Sequence, residues 1–301
     1  MAYGLRLCSF SPYLYIFFIY MINLKLTVVL LVLLKLHNYS GCGPDKKNSE
    51  SPPGYDFNNP VKITLPSGLN EISGISYYAK DSSLFAEVDE DGILFKISLT
   101  GNNKMQQWRY DKKHDFEDIV LHDTTFYILE SNGDIETLHF TGDSISHTKS
   151  KFPDADKKSN EFEAMYYDTD LGLVMLCKNC EEDKKKVVTA FLCKPDSSTY
   201  EVGYQIDVKP IAKKTGDEKL HFKPSAAAVN PVTNELYILA SVNKLLVVAD
   251  RQGKVKNVYT LDPTTFNQPE GMTFTPWGDL IISNEKGEDD AATLLIFKPK
   301  K

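Results

Sequence analysis

Short apolar runs, separated by turns, follow one another through residues 61–298. In Ile93–Leu99 the large apolar residues include every second position, with Lys96 and Ser98 between them. This period of two residues is that of a β-strand, and the turn Glu90-Asp91-Gly92 before it has the residue types of a tight hairpin. The pattern predicts an all-β fold in which successive strands are joined by short turns.

A five-residue motif recurs five times at the start of such runs. The first copy is Glu71-Ile72-Ser73-Gly74-Ile75, and the weaker copies are centred on Glu117, Glu163, Ser225 and Glu270. From Ser73 onward, the central residues are 44, 46, 62 and 45 residues apart. A repeat of about 45 residues that holds several short strands and no helix is typical of the blades of a β-propeller. The chain is therefore predicted to be a five-bladed β-propeller.

The first four repeats each contain four strand-like runs. These strands are predicted at Ile72–Tyr78, Leu84–Val88, Ile93–Leu99, Met105–Tyr110, Phe116–His122, Thr125–Leu129, Asp134–Thr141, Ile145–Lys151, Phe162–Tyr167, Gly172–Cys177, Val187–Cys193, Thr199–Val208, Ser225–Asn230, Glu235–Ala240, Lys244–Asp250 and Val255–Leu261. The polar stretch Lys209–Phe222 accounts for the long third step. At about 14 residues it is too short for a further blade of four strands.

The fifth repeat has only three strands, and an earlier segment can complete it. Its strands are predicted at Gly271–Thr275, Asp279–Ser283 and Thr293–Phe297, and the missing outer strand at Val61–Leu65. Pairing the first strand of the domain with the last blade would remove an exposed edge. The ring is therefore predicted to be closed by its N-terminal strand.

The N-terminal segment has a different composition. Tyr13–Leu36 is almost wholly apolar, and from Met21 onward it has the features of an export signal: Lys25, then an apolar run, then small residues before Cys42. Ser40-Gly41-Cys42 resembles the lipobox of bacterial lipoproteins, in which the cysteine is lipidated. Tyr39 departs from that pattern, and the apolar stretch is long enough to be an uncleaved membrane anchor instead. Both alternatives place the body outside the cytoplasm.

These features divide the 301-residue chain into three parts. Residues 1–41 are predicted to be the signal or anchor segment. Residues 42–59 are rich in Pro, Gly, Ser and charge, which is typical of a flexible linker. Residues 60–301 are predicted to be the propeller, because a single β domain of about 250 residues is common.

The body of the protein is acidic. The formal charge of the chain is −7, and residues 1–41 contain three basic residues and no acidic one, so the remainder has 31 basic against 41 acidic residues. A net negative body argues against nucleic acid as a partner, because phosphate contacts need a basic face. It permits cation binding, although charge for solubility is the simpler explanation.

Acidic residues are predicted to gather at one mouth of the channel. The first strand of a blade lies nearest the axis and the second runs antiparallel to it, so the start of one and the end of the other share a mouth. The residues at these two positions, with their neighbours, are Glu71, Ser73, Asp115, Glu117, Glu161, Glu163, Ser225 and Glu270, and Asp89, Glu90, Glu130, Lys178, Ser241, Asn284 and Glu285.

Crowded carboxylates need a cation, a basic partner or protons. Three interpretations remain open. The first is a calcium site with Glu117, Glu163, Glu270 and Glu130 as ligands, since calcium takes six to eight oxygen ligands. The second is structural, with the glutamates bonded to backbone N–H groups of the next blade and Lys178 balancing charge. The third is recognition of a small ligand or an envelope protein, by the residues Glu71, Ser73, Asp89, Glu90, Asp115, Lys178, Ser225 and Glu285.

The motifs together resemble those of one family. They are Glu71-Ile72-Ser73-Gly74-Ile75, Val88-Asp89-Glu90-Asp91-Gly92, Asp115-Phe116-Glu117-Asp118-Ile119, Leu129-Glu130, Phe162-Glu163-Ala164-Met165, Pro269-Glu270-Gly271-Met272 and Ser283-Asn284-Glu285. In this order and spacing, over roughly Val61 to Lys298, they are similar to the SdiA-regulated family (the YjiK and CarP type) of bacterial cell-envelope β-propellers. Asp118, Ala164 and Ala226 stand where the family favours glycine. The resemblance implies an envelope propeller, in some members calcium-regulated or phytase-like.

Other chemistry is sparse. The sequence has no G-x-S-x-G, P-loop, H-E-x-x-H or G-x-G-x-x-G motif. His114 could act as an acid or base at the mouth, or be a solvated loop histidine. Cys177-x-x-Cys180 could be a disulfide in an exported protein or two free thiols, with Cys193 buried in a strand. The aromatic residues, among them Trp108 and Trp277, are predicted to pack between blades.

Two functions are compatible with these features. One is a non-catalytic, lipid-tethered envelope protein that binds calcium, a small ligand or a protein at its acidic mouth. The alternative is a phosphoesterase in which carboxylate-held calcium binds phosphate and activates water. The scarcity of basic residues at the mouth, where only Lys178 and the adjacent Lys223 are found, favours the binding protein.

Overall fold

The computed structural model describes residues 50–100, 105–153, 155 and 160–300. The predicted signal or anchor segment, the predicted lipidation site Cys42 and the first part of the predicted linker lie outside these residues. The described residues form 20 β-strands and one α-helix, and the strands make five antiparallel four-stranded sheets. No helix in this part of the chain has the length and apolar composition needed to cross a membrane.

Each sheet is one blade, numbered in chain order. Blade one consists of β2 (Ile72–Tyr78), β3 (Ser83–Val88), β4 (Asp91–Ser98) and β5 (Met105–Arg109). Blade two consists of β6 (Phe116–His122), β7 (Thr125–Glu130), β8 (Ile135–Thr141) and β9 (Ser144–Ser150). Blade three consists of β10 (Asn160–Asp168), β11 (Gly172–Cys180), β12 (Val187–Lys194) and β13 (Thr199–Asp207).

The remaining two blades complete the ring. Blade four consists of β14 (Ala226–Val229), β15 (Leu236–Ala240), β16 (Leu245–Ala249) and β17 (Val255–Thr260). Blade five consists of β18 (Pro269–Phe274), β19 (Leu280–Asn284), β20 (Thr293–Phe297) and β1 (Val61–Thr64). The predicted five-bladed fold is therefore confirmed, with every strand near its predicted bounds.

The ring is closed as predicted. Strand β1 pairs antiparallel with β20, with Val61 opposite Ile296 and Thr64 opposite Thr293. The first strands of the five blades, β2, β6, β10, β14 and β18, pack against one another in a closed cycle around the axis. Each strand of a blade thus has a hydrogen-bonded neighbour, and the first blade contacts the last.

The hydrophobic core lies between the blades. Buried side chains form five clusters, one at each boundary between neighbouring blades. Each sheet is therefore covered on both faces. This explains why strands such as β15 and β16 are apolar along their whole length and buried at every residue.

One short helix was not predicted from the sequence. Helix α1 (Lys209–Thr215) lies in the polar stretch between blades three and four, and Ile211 is its buried residue. Pro210 lies in its first turn, and Gly216 follows its last residue with a φ of 75°. Proline at the start and a left-handed glycine after the end are favoured at helix termini.

The described part of the predicted linker differs from the prediction of a flexible tether. Phe57 is fully buried between blades four and five, with its ring centroid 5.3 Å from that of Phe266 and 4.7 Å from that of Phe297. The Tyr55 hydroxyl donates to the carbonyl of Gly278 over 2.6 Å. Two aromatic side chains supply enough apolar surface to fix this segment on the propeller. Trp277 also differs from its prediction, since 66% of it is exposed.

Because Phe57 fills the boundary between two blades, Phe57→Ala should lower the free energy of unfolding by about 3–5 kcal/mol. The measurement is urea unfolding of the full-length chain, followed by tryptophan fluorescence and circular dichroism. The control is Trp277→Ala, which removes an exposed aromatic side chain and should change stability by no more than about 0.5 kcal/mol. Equal effects of the two substitutions would show that Phe57 is not part of the core.

Candidate functional site

β-Bulges direct the predicted acidic residues toward the channel. In the inner strands β6, β10 and β18, Glu117, Glu163 and Glu270 have no partner in the register with the second strand of the blade. Ser73 and Gly74 form the corresponding irregularity in β2. A bulge inserts one extra residue and re-aims its side chain. Four of the five central motif residues are thus bulge residues.

The starts of the first strands and the ends of the second strands do meet at one mouth, as predicted. The starts of β6 and β10 are each bonded to the end of the preceding blade's second strand, because Phe116 N–H donates to the Asp89 carbonyl over 2.8 Å and Phe162 N–H donates to the Ser131 carbonyl over 2.9 Å. These bonds set the acidic residues of one blade beside those of the next.

Lys178 is the cation toward which these acids converge. It is the unpaired residue of a second bulge, on β11, opposite the Glu163 bulge on β10. Its ammonium group forms an ion pair with Glu163 and lies 3.0 Å from Glu161 Oε1. Its charge also acts to lower the pKa values of Glu117 and Glu270. One lysine therefore faces glutamates from blades two, three and five.

Among the described residues, carboxyl groups at the mouth nevertheless outnumber basic groups. Burial and, next, the neighbouring Asp115 raise the pKa of Glu117 to about 9. Burial and contact with Asp115 raise the pKa of Asp89 to about 6. Burial and contact with Glu71 raise the pKa of Glu285 to about 8. Burial also raises the pKa of Glu270. Carboxyl groups in such contact share protons unless a cation replaces them.

Two buried carboxyl groups that the sequence analysis did not single out lie beside the bulges. Glu87 has one oxygen 2.9 Å from the Gly74 N–H, whereas its other oxygen has no hydrogen-bond partner among the described residues. Burial raises the pKa of Glu87 to about 8. Asp118 accepts from Met165 N–H of blade three over 2.7 Å. The predicted link from an acid to the next blade's backbone thus exists, but Asp118 makes it and not the central glutamates.

Gly74 of blade one lies directly against Asp118 of blade two. A side chain at Gly74 would come within 2.5 Å of the Ile119 nitrogen and 2.6 Å of the Asp118 Cα atom. Glycine is therefore required on blade one for the close approach of blade two. The Asp118 carboxyl group accepts hydrogen bonds from Ile119 N–H over 2.8 Å and from Met165 N–H. For Glu87, the available signal was a single acid in an otherwise buried strand.

Some predicted binding residues have other roles. Ser225 is buried and joins blades four and five, because its hydroxyl donates to the Pro269 carbonyl over 3.0 Å and accepts from Ser241 N–H over 3.1 Å. Ser73 is also buried, and its carbonyl accepts from the Ser283 hydroxyl over 3.1 Å. Glu90 is exposed and paired with Lys113 over 3.2 Å.

Glu130, a predicted calcium ligand, belongs to a different group of residues. We call this group the histidine–carboxylate cluster, and it consists of Asp111, His114, Glu130, Glu136, His147 and Lys149. The Lys149 ammonium lies 2.5 Å from Glu130 Oε1 and 2.9 Å from Glu136 Oε1. His147 Nδ1 lies 2.8 Å from Glu136 Oε2. Lys149 is the resident cation of this cluster.

The geometry of the predicted calcium ligands does not converge on one point. Within the described ranges, the groups of three possible ligand atoms within 4.8 Å of one another are Asp111, His114 and Glu130; Asp111, Glu136 and His147; and Cys177, Cys180 and Asp183. None includes Glu117, Glu163 or Glu270. These glutamates offer the oxygen donors that calcium prefers, but they are spread around a ring.

Past the acidic mouth the channel becomes less polar. A cavity of about 380 Å³ is lined by the later residues of all five inner strands, including Tyr77, Leu121, Tyr167, Val229 and Phe274. The acidic mouth and this cavity are therefore two ends of one channel with different chemistry.

The cysteine pair is a disulfide. Cys177 is bonded to Cys180, and Cys193 is a buried free thiol whose pKa is raised to about 12 by burial. Of the two alternatives left open by the sequence, the structure contains the first.

Comparisons with known proteins support the fold. The SdiA-regulated family matches residues 48–287. No curated protein matches the chain significantly. Among solved structures, Myxococcus xanthus glutaminyl cyclase is similar with a TM-score of 0.53 and 12% identity, over 80% of this chain and 98% of that one. A luciferin-regenerating enzyme has a TM-score of 0.50 and 11% identity, over 80% of this chain and 98% of that one. At such identities these two likenesses show the fold alone.

The raised pKa of Glu117 predicts that stability falls as pH rises. The folded chain holds a proton on Glu117 up to about pH 9, whereas an unfolded glutamate loses it near pH ~4.3. The stabilisation is therefore complete below that lower value and is lost progressively toward pH 9. The melting temperature of the full-length chain should decline from pH 5 to pH 9, and Glu117→Gln should make this decline shallower. Glu182→Gln, at an exposed position, is the control; parallel curves for all three proteins would contradict the assignment.

Lys149→Met should destabilise the protein by about 3 kcal/mol, because it leaves the buried Glu130 and Glu136 without their cation. Urea unfolding of the full-length chain measures this. Lys256→Met is the matched control, since Lys256 pairs with Glu235 over 2.9 Å at a more exposed position and should contribute less than about 1 kcal/mol. A small effect of Lys149→Met would mean that the cluster is solvated or protonated.

Proposed function

This chain belongs to the SdiA-regulated family, and on that basis we propose that it is a membrane-tethered β-propeller of the bacterial cell envelope whose acidic mouth binds a cationic ligand. The tether is the lipidated Cys42 or the apolar segment before it. The tether is proposed from the sequence alone, and the binding site from the mouth described above.

The observation that carries the proposal is the excess of carboxyl groups that meet at the mouth. They are Glu71, Asp89, Asp115, Glu117, Glu161, Glu163, Glu270 and Glu285. The positive charge that faces them comes from Lys178, with Lys244 near Glu270. The raised pKa values of Glu117 and Glu285 mean that ionising these groups is unfavourable in the folded chain, and a bound cation would offset that cost.

The mouth offers chemistry for two kinds of cation. One kind is a primary ammonium group, such as that of Lys178, which is held between Glu161 and Glu163. A ligand that carries primary amines would meet the same carboxylates. For calcium, Glu117, Glu163 and Glu270 would supply oxygen ligands. The common requirement is positive charge, and the experiment below distinguishes the two ligands.

The phosphoesterase alternative has less support. A phosphate-binding site needs several basic groups directed at the ligand. Lys178 is already engaged by two glutamates, and the Lys244 ammonium donates to the Asn267 carbonyl over 2.6 Å. An anionic substrate would also have to approach an excess of carboxyl groups, and those that are ionised repel it.

Isothermal titration of the full-length chain in mild detergent, separately with calcium chloride and with spermidine, tests the proposal. We expect at least one titrant to bind, and Glu117→Gln and Glu163→Gln to weaken it. Lys178→Met should strengthen binding about tenfold, because it removes a competing internal cation at close range. Glu182→Gln and Lys256→Met, at exposed positions, are the matched controls. If neither titrant binds to the wild type or to Lys178→Met, the proposed function is wrong.

A further inference from the structure

The position of Lys178 depends on a bulged stretch of strand β11. Glu161 is opposite Asn179 and Phe162 is opposite Cys177, so Lys178 is the extra residue of the bulge. Cys177, directly before the bulge residue, and Cys180, two residues after it, are bonded to each other. The disulfide ring therefore contains Lys178 and Asn179, and it closes directly over the bulge.

The disulfide sets the conformation of this bulge. Three steps along a regular strand span about 10 Å, whereas the Cα atoms of Cys177 and Cys180 are 6.0 Å apart. The bond thus holds β11 in a shortened form that a regular strand cannot adopt. In that form, the Lys178 side chain reaches Glu161 and Glu163 on the neighbouring strand β10.

We propose that the Cys177–Cys180 disulfide is a redox-sensitive clamp that holds Lys178 in the acidic mouth, and that its reduction releases the lysine and raises the affinity of the mouth for cations. This inference rests on the proposed function. It adds a means by which the redox state of the envelope controls binding.

Release follows from the register of the strand. Without the bond, β11 can extend, and a slip of one residue turns a side chain to the opposite face of the sheet. The neighbouring hairpin is held independently, because Asp183 accepts from Thr189 N–H over 2.9 Å. The change is therefore confined to residues near Lys178. Glu161 and Glu163 lose their internal partner and become available to an external cation.

The chemistry requires a dithiol reductant. One thiolate of the reductant attacks Sγ of Cys180, which is the more exposed cysteine of the pair, and the Cys177 sulfur leaves as a thiolate that takes up a proton. The second thiol of the reductant then attacks the mixed disulfide and releases Cys180 as a thiol. Two electrons and two protons pass to the protein, and the reductant becomes a disulfide.

The first experiment reads the position of Lys178 without any ligand. The full-length chain, oxidised or treated with dithiothreitol, is labelled briefly with acetic anhydride, and the label on each lysine is measured by mass spectrometry. Reduction should increase the labelling rate of Lys178 about tenfold, since its ion pairs protect the amine. Lys256 should not change. The Cys177→Ser/Cys180→Ser variant should match the reduced protein, and Cys193→Ser should behave as the wild type.

The second experiment repeats the titrations with calcium chloride and with spermidine. Reduced wild type and the double serine variant should bind the active titrant about tenfold more tightly than oxidised wild type, as Lys178→Met does. In the Lys178→Met background, reduction should have no further effect. Melting temperatures of all variants establish that each is folded.

The outcomes separate the two proposals. Unchanged Lys178 labelling on reduction and in the double serine variant would overturn the clamp, whatever the titrations show. If labelling changes but neither titrant binds any form, the proposed function fails and with it the control of binding. If Lys178→Met strengthens binding and the double serine variant does not, the binding site stands and the redox inference is wrong.

Discussion

The structure depends on the burial of both faces of every blade. A single four-stranded sheet with two apolar faces cannot be stable alone, so each blade requires a neighbour on either side, and five blades satisfy this requirement only as a closed ring. Closure has an electrostatic consequence. It draws the starts of five inner strands to one axis, and the repeated motif places an acidic residue at three of them. The hydrophobic contacts between blades therefore hold together side chains that repel one another.

The protein meets this repulsion in several ways. Asp118 is bonded to backbone N–H groups, and Lys178 neutralises part of the charge from the neighbouring glutamates. Burial raises the pKa values of Glu117 and Glu285 to about 9 and about 8, so these two carboxyl groups stay protonated at neutral pH. The histidine–carboxylate cluster repeats the solution with Lys149. In both places a lysine acts as the counter-ion. The acidic mouth and the histidine–carboxylate cluster are thus two separate sites, each with its own lysine.

Much of the fold could be predicted from the sequence, because strand period and repeat spacing are both properties of the chain. The site was predicted less completely. Glu130 and Lys178 were predicted at equivalent positions at the ends of second strands, yet Glu130 is paired with Phe116 whereas Lys178 is an unpaired bulge residue. One residue of register decides which way a side chain points, and period-two patterns do not reveal it. The burial of Phe57 was missed because the residues around it in the sequence are polar and resemble a linker. Only its aromatic ring indicates that the segment is anchored.

The anchoring of Tyr55 and Phe57 affects how the ring resists mechanical load. Strand β1 is the outer strand of blade five, so a force directed along it could separate its hydrogen bonds from β20 one after another. A pull that arrives from the N-terminal side reaches Tyr55 and Phe57 first, and these side chains must leave their pocket before β1 bears any tension. Tyr55 and Phe57 thus protect the pairing of β1 with β20 from forces transmitted through the preceding chain.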